Sequence, residues 1–319
     1  MTLEPRAAAG ELTGADADRL GAALEASIAP NTAKAYKAAL ERFARWLDGR
    51  PATDVTVAAY VAALMDQGKA PATIRQAAAA IGAGARARGL DDPRGALARQ
   101  ALAGAVRRNA GEGRGQVAGL RREDALAAAA AAAAQGTVSG LRDAALLRTM
   151  SDALLRASEV AAIDTRDVDR EGDGSGRLAI RRSKTDQEGE GAVCYLTPAT
   201  TVALDAWLAA AAAAWTSEGP YEGPMFRRVT RSGAVSGDAP LTTNAVRAIV
   251  RKRAEAVGVA GASGHSCRVG SAQSLIERGA STAAVAIAGR WKDPGMVVRY
   301  AKAQEAGRGA VKAYFGGGK

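Results

Sequence analysis

Residues 264–300 read GHSCRVGSAQSLIERGASTAAVAIAGRWKDPGMVVRY, and this stretch carries the strongest pattern in the chain. It opens with the only histidine of the protein, His265, and Arg268 follows three residues later. Apolar residues at helical spacing, ended by Gly279, predict a helix that starts near Gly264 and carries both side chains on one face. The N-terminal turn of a helix attracts anions through its free N–H groups and its dipole. The N-terminal turn of this helix is therefore a candidate phosphate site.

The same stretch ends with two aromatic residues, Trp291 and, nine positions later, Tyr300. Taken alone, a single histidine is typical of a structural residue, and a tyrosine on an apolar helix is typical of a hydrophobic core. A functional interpretation of either residue therefore depends on what the rest of the chain supplies.

Composition and charge point to a nucleic-acid partner. The 319 residues leave room for two domains, and 43 basic against 33 acidic residues produce a net charge of +10 and a pI near 9.9. The charge is concentrated in residues 31–122, where 16 basic and 7 acidic side chains leave +9. Such a basic segment favours binding of a polyanion, most simply nucleic acid. A merely soluble basic surface remains the alternative.

Several classes of protein are disfavoured by the same composition. Cys194 and Cys267 lie far apart and match no metal-ligand spacing, so we expect reduced thiols and no metal site. The acidic, polar start of the chain does not resemble a signal peptide. The alanine runs at 127–134 and 209–214 are too short and too weakly hydrophobic to span a bilayer. We expect a soluble intracellular protein with no membrane partner.

The first part of the chain reads as a small helical domain. Residues 1–20 are expected to form a flexible tail, residues 21–110 a helical domain, and the glycine-rich residues 111–119 a linker. Within the domain, apolar spacing and caps predict four helices near residues 31–47, 54–68, 71–89 and 93–108. The buried face of the first helix is predicted to comprise Tyr36, Leu40, Phe43 and Leu47.

Residues 120–319 read as a second domain, mainly helical with one small antiparallel sheet. Alternating residues at 176–181 and 192–196, on either side of a polar turn, predict a β-hairpin. Helices are predicted around it, near residues 122–134, 140–153, 200–214, 242–257, 264–278, 282–289, 296–303 and 310–315. The predicted fold class is therefore mainly α, with a helical N-terminal domain followed by an α+β domain.

Two further motifs in the second domain carry charged residues. In LLRASEV, Arg156 and Glu159 are three apart on a helix predicted to begin just after Asp152. Their apolar neighbours indicate burial, and buried charges need partners, so a purely structural ion pair is an equally open interpretation. Lys184 lies in the Ser-Lys-Thr turn of the predicted hairpin, where a lysine is ordinarily just solvated.

Taken together, the residues singled out above are a more specific indication of function than any one of them alone. It resembles, in type and order, the active site of the tyrosine recombinase (phage integrase) family, with Trp291 where a second histidine is commoner. The resemblance extends over essentially the whole second domain, which it identifies as catalytic. The first domain is similar, less specifically, to the family's core-binding domain through NTAKAYKAALERFARW. In chain order the set comprises Arg156, Glu159, Lys184, His265, Arg268, Trp291 and Tyr300.

The resemblance implies an enzyme that recombines DNA at specific sites. Its partners would be double-stranded DNA with an inverted-repeat recombination site and further copies of itself, as a dimer on one site and a tetramer in the synapse. Strands would be exchanged through a Holliday junction with no cofactor. The protein would be bacterial or phage-encoded, cytoplasmic and associated with the nucleoid. Residues 310–315 would form a C-terminal helix that docks into a neighbouring subunit.

The chemistry of cleavage suits these residue types. Arg156 and Arg268 can neutralise the transferring phosphoryl group, because a guanidinium holds two phosphate oxygens in fixed geometry. Tyr300 would be the nucleophile and His265 the base that accepts its proton. Lys184 would protonate the departing 5′ oxygen.

The remaining two residues are predicted to support that reaction. Trp291 can donate its indole N–H to the phosphate, and Glu159 would orient His265 or Arg156. The product would be a 3′-phosphotyrosyl link, which stores the energy of the broken bond for rejoining without ATP.

Candidate DNA-contacting residues lie on three predicted helices. Amides and guanidinium groups can read base edges, although contact with phosphate alone is equally open for each. These candidates are Lys34, Thr73, Arg75, Gln76, Asn244, Arg247 and Arg251.

Three other functions remain open at the level of sequence. A type IB topoisomerase uses similar residues, but the two-domain layout argues against it. An integrase that depends on accessory bending proteins is closer, and a catalytically silent DNA-binding regulator would belong to another class.

We predict that strand cleavage and rejoining proceed in excess EDTA, because the sequence offers no carboxylate cluster suited to Mg²⁺ and no phosphate-cradling loop for ATP. The measurement is formation of the covalent protein–DNA adduct with and without the chelator. A strict divalent requirement for cleavage itself, as opposed to assembly, would contradict the mechanism.

Overall fold

The computed structural model describes Arg19 and residues 30–108, 117–181 and 191–306. Contacts between Cα atoms divide the chain into two compact units, Met1–Gly115 and Gln116–Lys319. The predicted tail (apart from Arg19), Lys184 and the predicted helix at 310–315 lie outside the described residues, as does most of the predicted linker.

The first unit contains four described helices, as the sequence predicts. They are α1 (Pro30–Leu47), α2 (Asp54–Asp66), α3 (Pro71–Arg86) and α4 (Ala96–Arg108). The predicted face of α1 points inward, because Leu40 and Phe43 are buried. The ring of Phe43 packs against Tyr60 of α2, with centroids 5.0 Å apart. The side chain of Asp54 accepts N–H bonds from Leu97 and Ala98 and so caps α4.

The second unit contains eight described α-helices and two small antiparallel sheets. The helices are α5 (Arg122–Ala133), α6 (Val138–Asp152), α7 (Ala157–Ala161), α8 (Pro198–Ala213), α9 (Thr243–Glu255), α10 (Ser266–Glu277), α11 (Thr282–Ala288) and α12 (Pro294–Ala306). The strands are β1 (Val168–Arg170), β2 (Gly176–Ile180), β3 (Ala192–Leu196), β4 (Arg227–Val229) and β5 (Val235–Pro240). None of the helices in the part of the chain that the structure describes could cross a membrane.

The predicted hairpin is confirmed as β2 and β3, which pair antiparallel with Leu178 opposite Cys194. The prediction of a single sheet is wrong in two respects. Strand β1 adds a third strand to the hairpin, and β4 pairs with β5 in a separate sheet. Strands of three residues are too short to show alternation, so sequence pattern does not reveal β1 or β4.

The interface between α5 and α6 is rich in alanine. Helices α5 and α6 pack together through small buried side chains, among them Ala128, Ala129, Ala132, Ala144 and Ala145. Such side chains allow the helix axes to approach closely, and close packing fixes where α6 ends.

The turn after α6 corrects one sequence prediction. Arg156 and Glu159 do not lie on a helix that starts after Asp152, because α6 ends at that residue. Asp152 is instead engaged by its neighbours, since it accepts bonds from both the N–H and the hydroxyl of Thr197. Leu154 then adopts a left-handed backbone conformation, with φ of 48°, which is incompatible with a continuing helix. Arg156 consequently caps the next helix, α7.

We predict that Gly270→Ala destabilises the second unit by about 1–3 kcal/mol, because a Cβ there would collide with the backbone carbonyl of Leu120. The matched control is Gly104→Ala in α4, where nothing lies within 4 Å of the added atom. That change should stabilise the protein by about 0.5–1 kcal/mol through helix propensity. Thermal unfolding followed by calorimetry distinguishes the two, and equal shifts for both variants would contradict the predicted collision.

Candidate active site

The site forms at the start of α10, where His265 occupies the N-cap position just before Ser266. The sequence predicts His265 at the start of this helix, and the structure has it one residue before the first helical residue. Its neighbour Gly264 is required there, because a Cβ would lie 2.7 Å from Cγ of Arg247 and 2.8 Å from Cβ of Ala157. Glycine thus lets α7 and α9 close around the histidine.

His265 meets Tyr300 across two helices. Nε2 of the imidazole lies 3.3 Å from the hydroxyl of Tyr300, which belongs to α12. The tyrosine is 7% exposed, and α12 packs against α10. The backbone carbonyl of Tyr300 accepts a 3.4 Å hydrogen bond from Gln273 of α10. The histidine and tyrosine that the sequence separates by 35 residues are therefore hydrogen-bond neighbours.

Arg268 is completely buried beneath this pair. Its Nη1 donates to the carbonyl of Leu154 at 2.6 Å, and its Nη2 donates to the carbonyl of Gly289. Its Nε is buried and finds no acceptor among the described residues. Burial, reinforced by the charge of Arg156, lowers the pKa of Arg268 to about 9, which still leaves it cationic at neutral pH. Arg268 therefore ties two turns together while supplying positive charge.

Trp291 covers the buried guanidinium. Cζ of Arg268 lies 4.0 Å from the centroid of the Trp291 ring, within cation–π range, and that ring also contacts Tyr300 at 5.8 Å between centroids. Gly289 makes this placement possible, because a Cβ there would overlap the indole ring. The indole therefore lies against both the cation and the tyrosine ring.

Arg156 and Glu159 form a buried pair at the start of α7. The carboxylate of Glu159 accepts the Arg156 N–H at 2.9 Å and its Nη1 at 2.5 Å. The side chain of Arg156 is 17% exposed and that of Glu159 only 2%. Both the structural ion pair and the functional role considered from the sequence are compatible with this geometry, because the arginine keeps an exposed edge.

Arg290 is a site residue that sequence reasoning missed. Its Nη2 donates to Oε2 of Glu159 at 3.0 Å, and its Nη1 contacts the carbonyl of Ala153 and the sulfur of Cys194. Its backbone is left-handed, with φ of 56°, which costs a non-glycine residue about 1–2 kcal/mol. Only its position beside Trp291 marks it in the sequence.

Burial and nearby charges lower the pKa values of His265 and Glu159, with different consequences for the two groups. Burial, followed by the charges of Arg268 and Arg156, lowers the pKa of His265 below 6.5. Burial raises the pKa of Glu159, but the Arg156 N–H and the charges of Arg290 and Arg156 more than offset this, so the net shift is downward. Near neutral pH the imidazole is therefore uncharged and able to accept a proton, while the carboxylate is ionised.

The structure thus brings together six of the seven candidate catalytic residues, and the seventh, Lys184, is not described. Within the described ranges, no group of three or more His, Cys, Asp or Glu side chains is placed to hold a metal ion. The candidate DNA-contacting residues are all exposed, on α1 (Lys34), on α3 (Thr73, Arg75 and Gln76) and on α9 (Asn244, Arg247 and Arg251).

We predict that His265 titrates below pH 6.5 in the folded protein, because burial and two nearby guanidinium groups disfavour the imidazolium. As the chain has one histidine, its ring resonance in an NMR titration needs no assignment. Glu159→Gln should lower the value further by removing a favourable charge. Stability linked to this group should be lost as pH falls below about 6.5. A folded-state pKa at or above 6.5 would contradict the prediction.

Comparison with known proteins places this geometry in a family. Residues 120–306 match the phage integrase family. The chain is 28% identical over 182 residues to the recombinase Cre of Escherichia phage P1, and the aligned region covers 54% of this chain and 52% of Cre. The chain thus aligns with about half the length of that curated relative.

Solved structures share the fold at low identity. The XerH site-specific recombinase bound to palindromic difH substrate aligns with a TM-score of 0.59 and 14% identity, covering 81% of this chain and 72% of XerH. A lambda integrase dimer bound to a core site aligns with a TM-score of 0.57 and 16% identity, covering 88% and 94%. The mainly helical fold with small antiparallel sheets is therefore confirmed. Because the family match spans more than half of its residues, the chain belongs to the phage integrase family.

Proposed function

We propose that the protein is a site-specific DNA recombinase that cuts and rejoins strands through a 3′-phosphotyrosyl intermediate at Tyr300. The observation that carries this proposal is the 3.3 Å approach of the Tyr300 hydroxyl to Nε2 of His265, the one histidine of the chain. A nucleophile and a base within hydrogen-bond reach are the minimum requirement for covalent catalysis.

In the proposed cleavage step, the oxygen of Tyr300 attacks phosphorus while its proton passes to Nε2 of His265. A tyrosine starts with a pKa near 10, so ionising it at pH 7 costs about 4 kcal/mol. Burial and the charges of Arg268 and Arg156 lower the pKa of His265, so its ring is uncharged near neutral pH and has a nitrogen free to accept the proton. The bond from phosphorus to the 5′ oxygen breaks, and Lys184 protonates that oxygen. The reverse sequence, with a new 5′ hydroxyl as nucleophile, rejoins the strand.

The two arginines are proposed to act differently on the phosphate. Arg156 is the more accessible guanidinium, with 17% of its side chain exposed, and would donate directly to phosphate oxygens. Arg268 is buried under Trp291, with two of its nitrogen atoms committed to backbone carbonyls. It would contribute chiefly through its field, which is strong where water is excluded. Both cations would stabilise charge that develops on the phosphoryl group.

We further propose that duplex DNA with inverted arms is the substrate and that the protein acts as a dimer on one site and a tetramer in the synapse. The net charge of +9 in residues 31–122 supports a DNA partner, as do the exposed basic residues Lys34 and Arg75. On the catalytic unit, Arg247 and Arg251 are exposed one turn apart on α9 and can follow a groove or backbone. The Cre-like exchange through a Holliday junction belongs to this proposal.

We predict that Tyr300→Phe abolishes the covalent adduct while leaving DNA affinity nearly unchanged, because only the nucleophilic oxygen is removed. The measurement uses duplexes selected for binding from a random library and from DNA flanking the gene, followed by denaturing electrophoresis. Tyr314→Phe is the matched control, since it removes the other C-terminal tyrosine hydroxyl, and it should still form the adduct.

Two results would overturn this assignment. An adduct that survives in Tyr300→Phe and disappears in Tyr314→Phe would identify Tyr314 as the nucleophile. A wild-type protein that binds selected duplexes tightly but never forms an adduct would favour a catalytically silent DNA-binding regulator.

A further inference from the structure

Arg290 occupies a backbone position that suits glycine better than arginine. Its φ of 56° lies in the left-handed region, and it stands between Gly289 and Trp291 at the end of α11. A bulky residue persists in such a conformation only where its surroundings hold it there. We therefore expect the side-chain contacts of Arg290 to offset the cost of its left-handed backbone.

Those contacts reach three separate segments. The guanidinium donates to Glu159 of α7 at 3.0 Å and to the carbonyl of Ala153 at 3.0 Å, and it also touches the sulfur of Cys194 on β3. Its side chain is 12% exposed, and that of Glu159 only 2%. One buried cation thus joins the turn before α7, the turn after α11 and the hairpin strand.

The two turns are held reciprocally. Arg268 donates to the carbonyls of Leu154 and Gly289, one in each turn. Arg290 reaches back from the second turn to Ala153 in the first. Each turn also contains a non-glycine residue in the left-handed region, Leu154 in one and Arg290 in the other. Such strained geometry persists because neighbouring contacts over-determine it, and here these crossed contacts do so.

Arg290 also changes the charge balance around Arg156. Without it, the Glu159 carboxylate would be shared with Arg156 alone, and the pair would be close to neutral. With it, Oε1 accepts from Arg156 and Oε2 from Arg290, so two guanidinium groups face one carboxylate. The exposed edge of Arg156 therefore keeps an uncompensated positive charge, which favours a phosphate.

We infer that Arg290 is a positioning residue for the cleavage reaction, which acts on Arg156 by binding Glu159 and offsetting its charge. This inference rests on the proposed function, since it assigns Arg290 a role in that same site. Arg290 itself contacts no reacting atom. It acts through Glu159, and its loss should slow phosphoryl transfer while DNA binding persists.

The first test compares Arg290→Gly with the wild-type protein in single-turnover cleavage of a selected duplex. Loss of a group that orients an active-site residue typically costs about 10–100-fold, and we expect a slowing of that size. Glycine suits the left-handed backbone, which limits the loss of stability. The matched control is Arg278→Ala in the same unit, which removes an exposed arginine paired with Glu123 and should stay within about 2-fold.

The second test asks whether Arg290 acts through Glu159. Arg290→Gly is combined with Glu159→Gln, and the rates of the two single variants and the double variant are compared. If the carboxylate mediates the effect, Arg290→Gly should cost less than about 3-fold once Glu159→Gln is present, because coupled residues are not additive. Arg290→Lys, which keeps the charge but not the fork, should recover part of the rate.

The outcomes separate this inference from the proposed function. If the wild-type protein forms no adduct with any duplex it binds, the proposed function fails, and the inference fails with it. If the wild-type protein reacts and Arg290→Gly cleaves within about 3-fold of it, the inference alone is overturned. Additive effects of Arg290→Gly and Glu159→Gln overturn it as well, as does a rate loss matched by loss of folded protein in both Arg290→Gly and Arg290→Lys.

Discussion

The guanidinium of Arg268 donates to two backbone carbonyls that lie in different turns, and the rest of the site depends on that pair of bonds. One turn leads to Arg156, and the other leads to Trp291. A cation buried this completely needs partners, and the two carbonyls accept its hydrogen bonds while the indole face makes a cation–π contact. The histidine three residues earlier and the tyrosine under the indole take their places around this cation.

The described side chains of the site carry more positive than negative charge, which favours an anionic ligand. Burial lowers the pKa of Arg268, and the charges of Arg156 and Arg290 lower it further. The carboxylate of Glu159 opposes the downward pKa shifts of both Arg268 and His265. Burial, followed by the charges of Arg268 and Arg156, lowers the pKa of His265 and so favours the neutral imidazole. Two of the cations proposed to hold phosphate therefore also favour proton acceptance by His265. In the proposed reaction, the same guanidinium groups would therefore serve two steps, phosphate binding and proton transfer to His265.

The types of residue in the sequence, and the order in which they occur, predicted much of the candidate active site. His265, Arg268, Trp291 and Tyr300 lie on one continuous stretch with strong helical spacing, and the structure does bring them together. The turn at Leu154 escaped prediction, because a left-handed leucine has no sequence signature and the conformation is held by distant carbonyl contacts. Arg290 escaped for the same reason, since its partners come from α7 and β3. The sequence likewise predicts the β2–β3 hairpin but neither the three-residue strands β1 and β4 nor the six-residue strand β5.

The alanine interface between α5 and α6 has a consequence for the positions around it. Alanine has no side-chain rotamers to lose on folding, so this interface orders without side-chain entropy cost. It also has no rotamers with which to adjust. A larger residue at Ala129 or Ala145 could be accommodated only by moving the helices apart. Since α6 leads directly into the turn before Arg156, that displacement would shift the guanidinium of Arg156, and a substitution in the core would thereby alter the candidate active site.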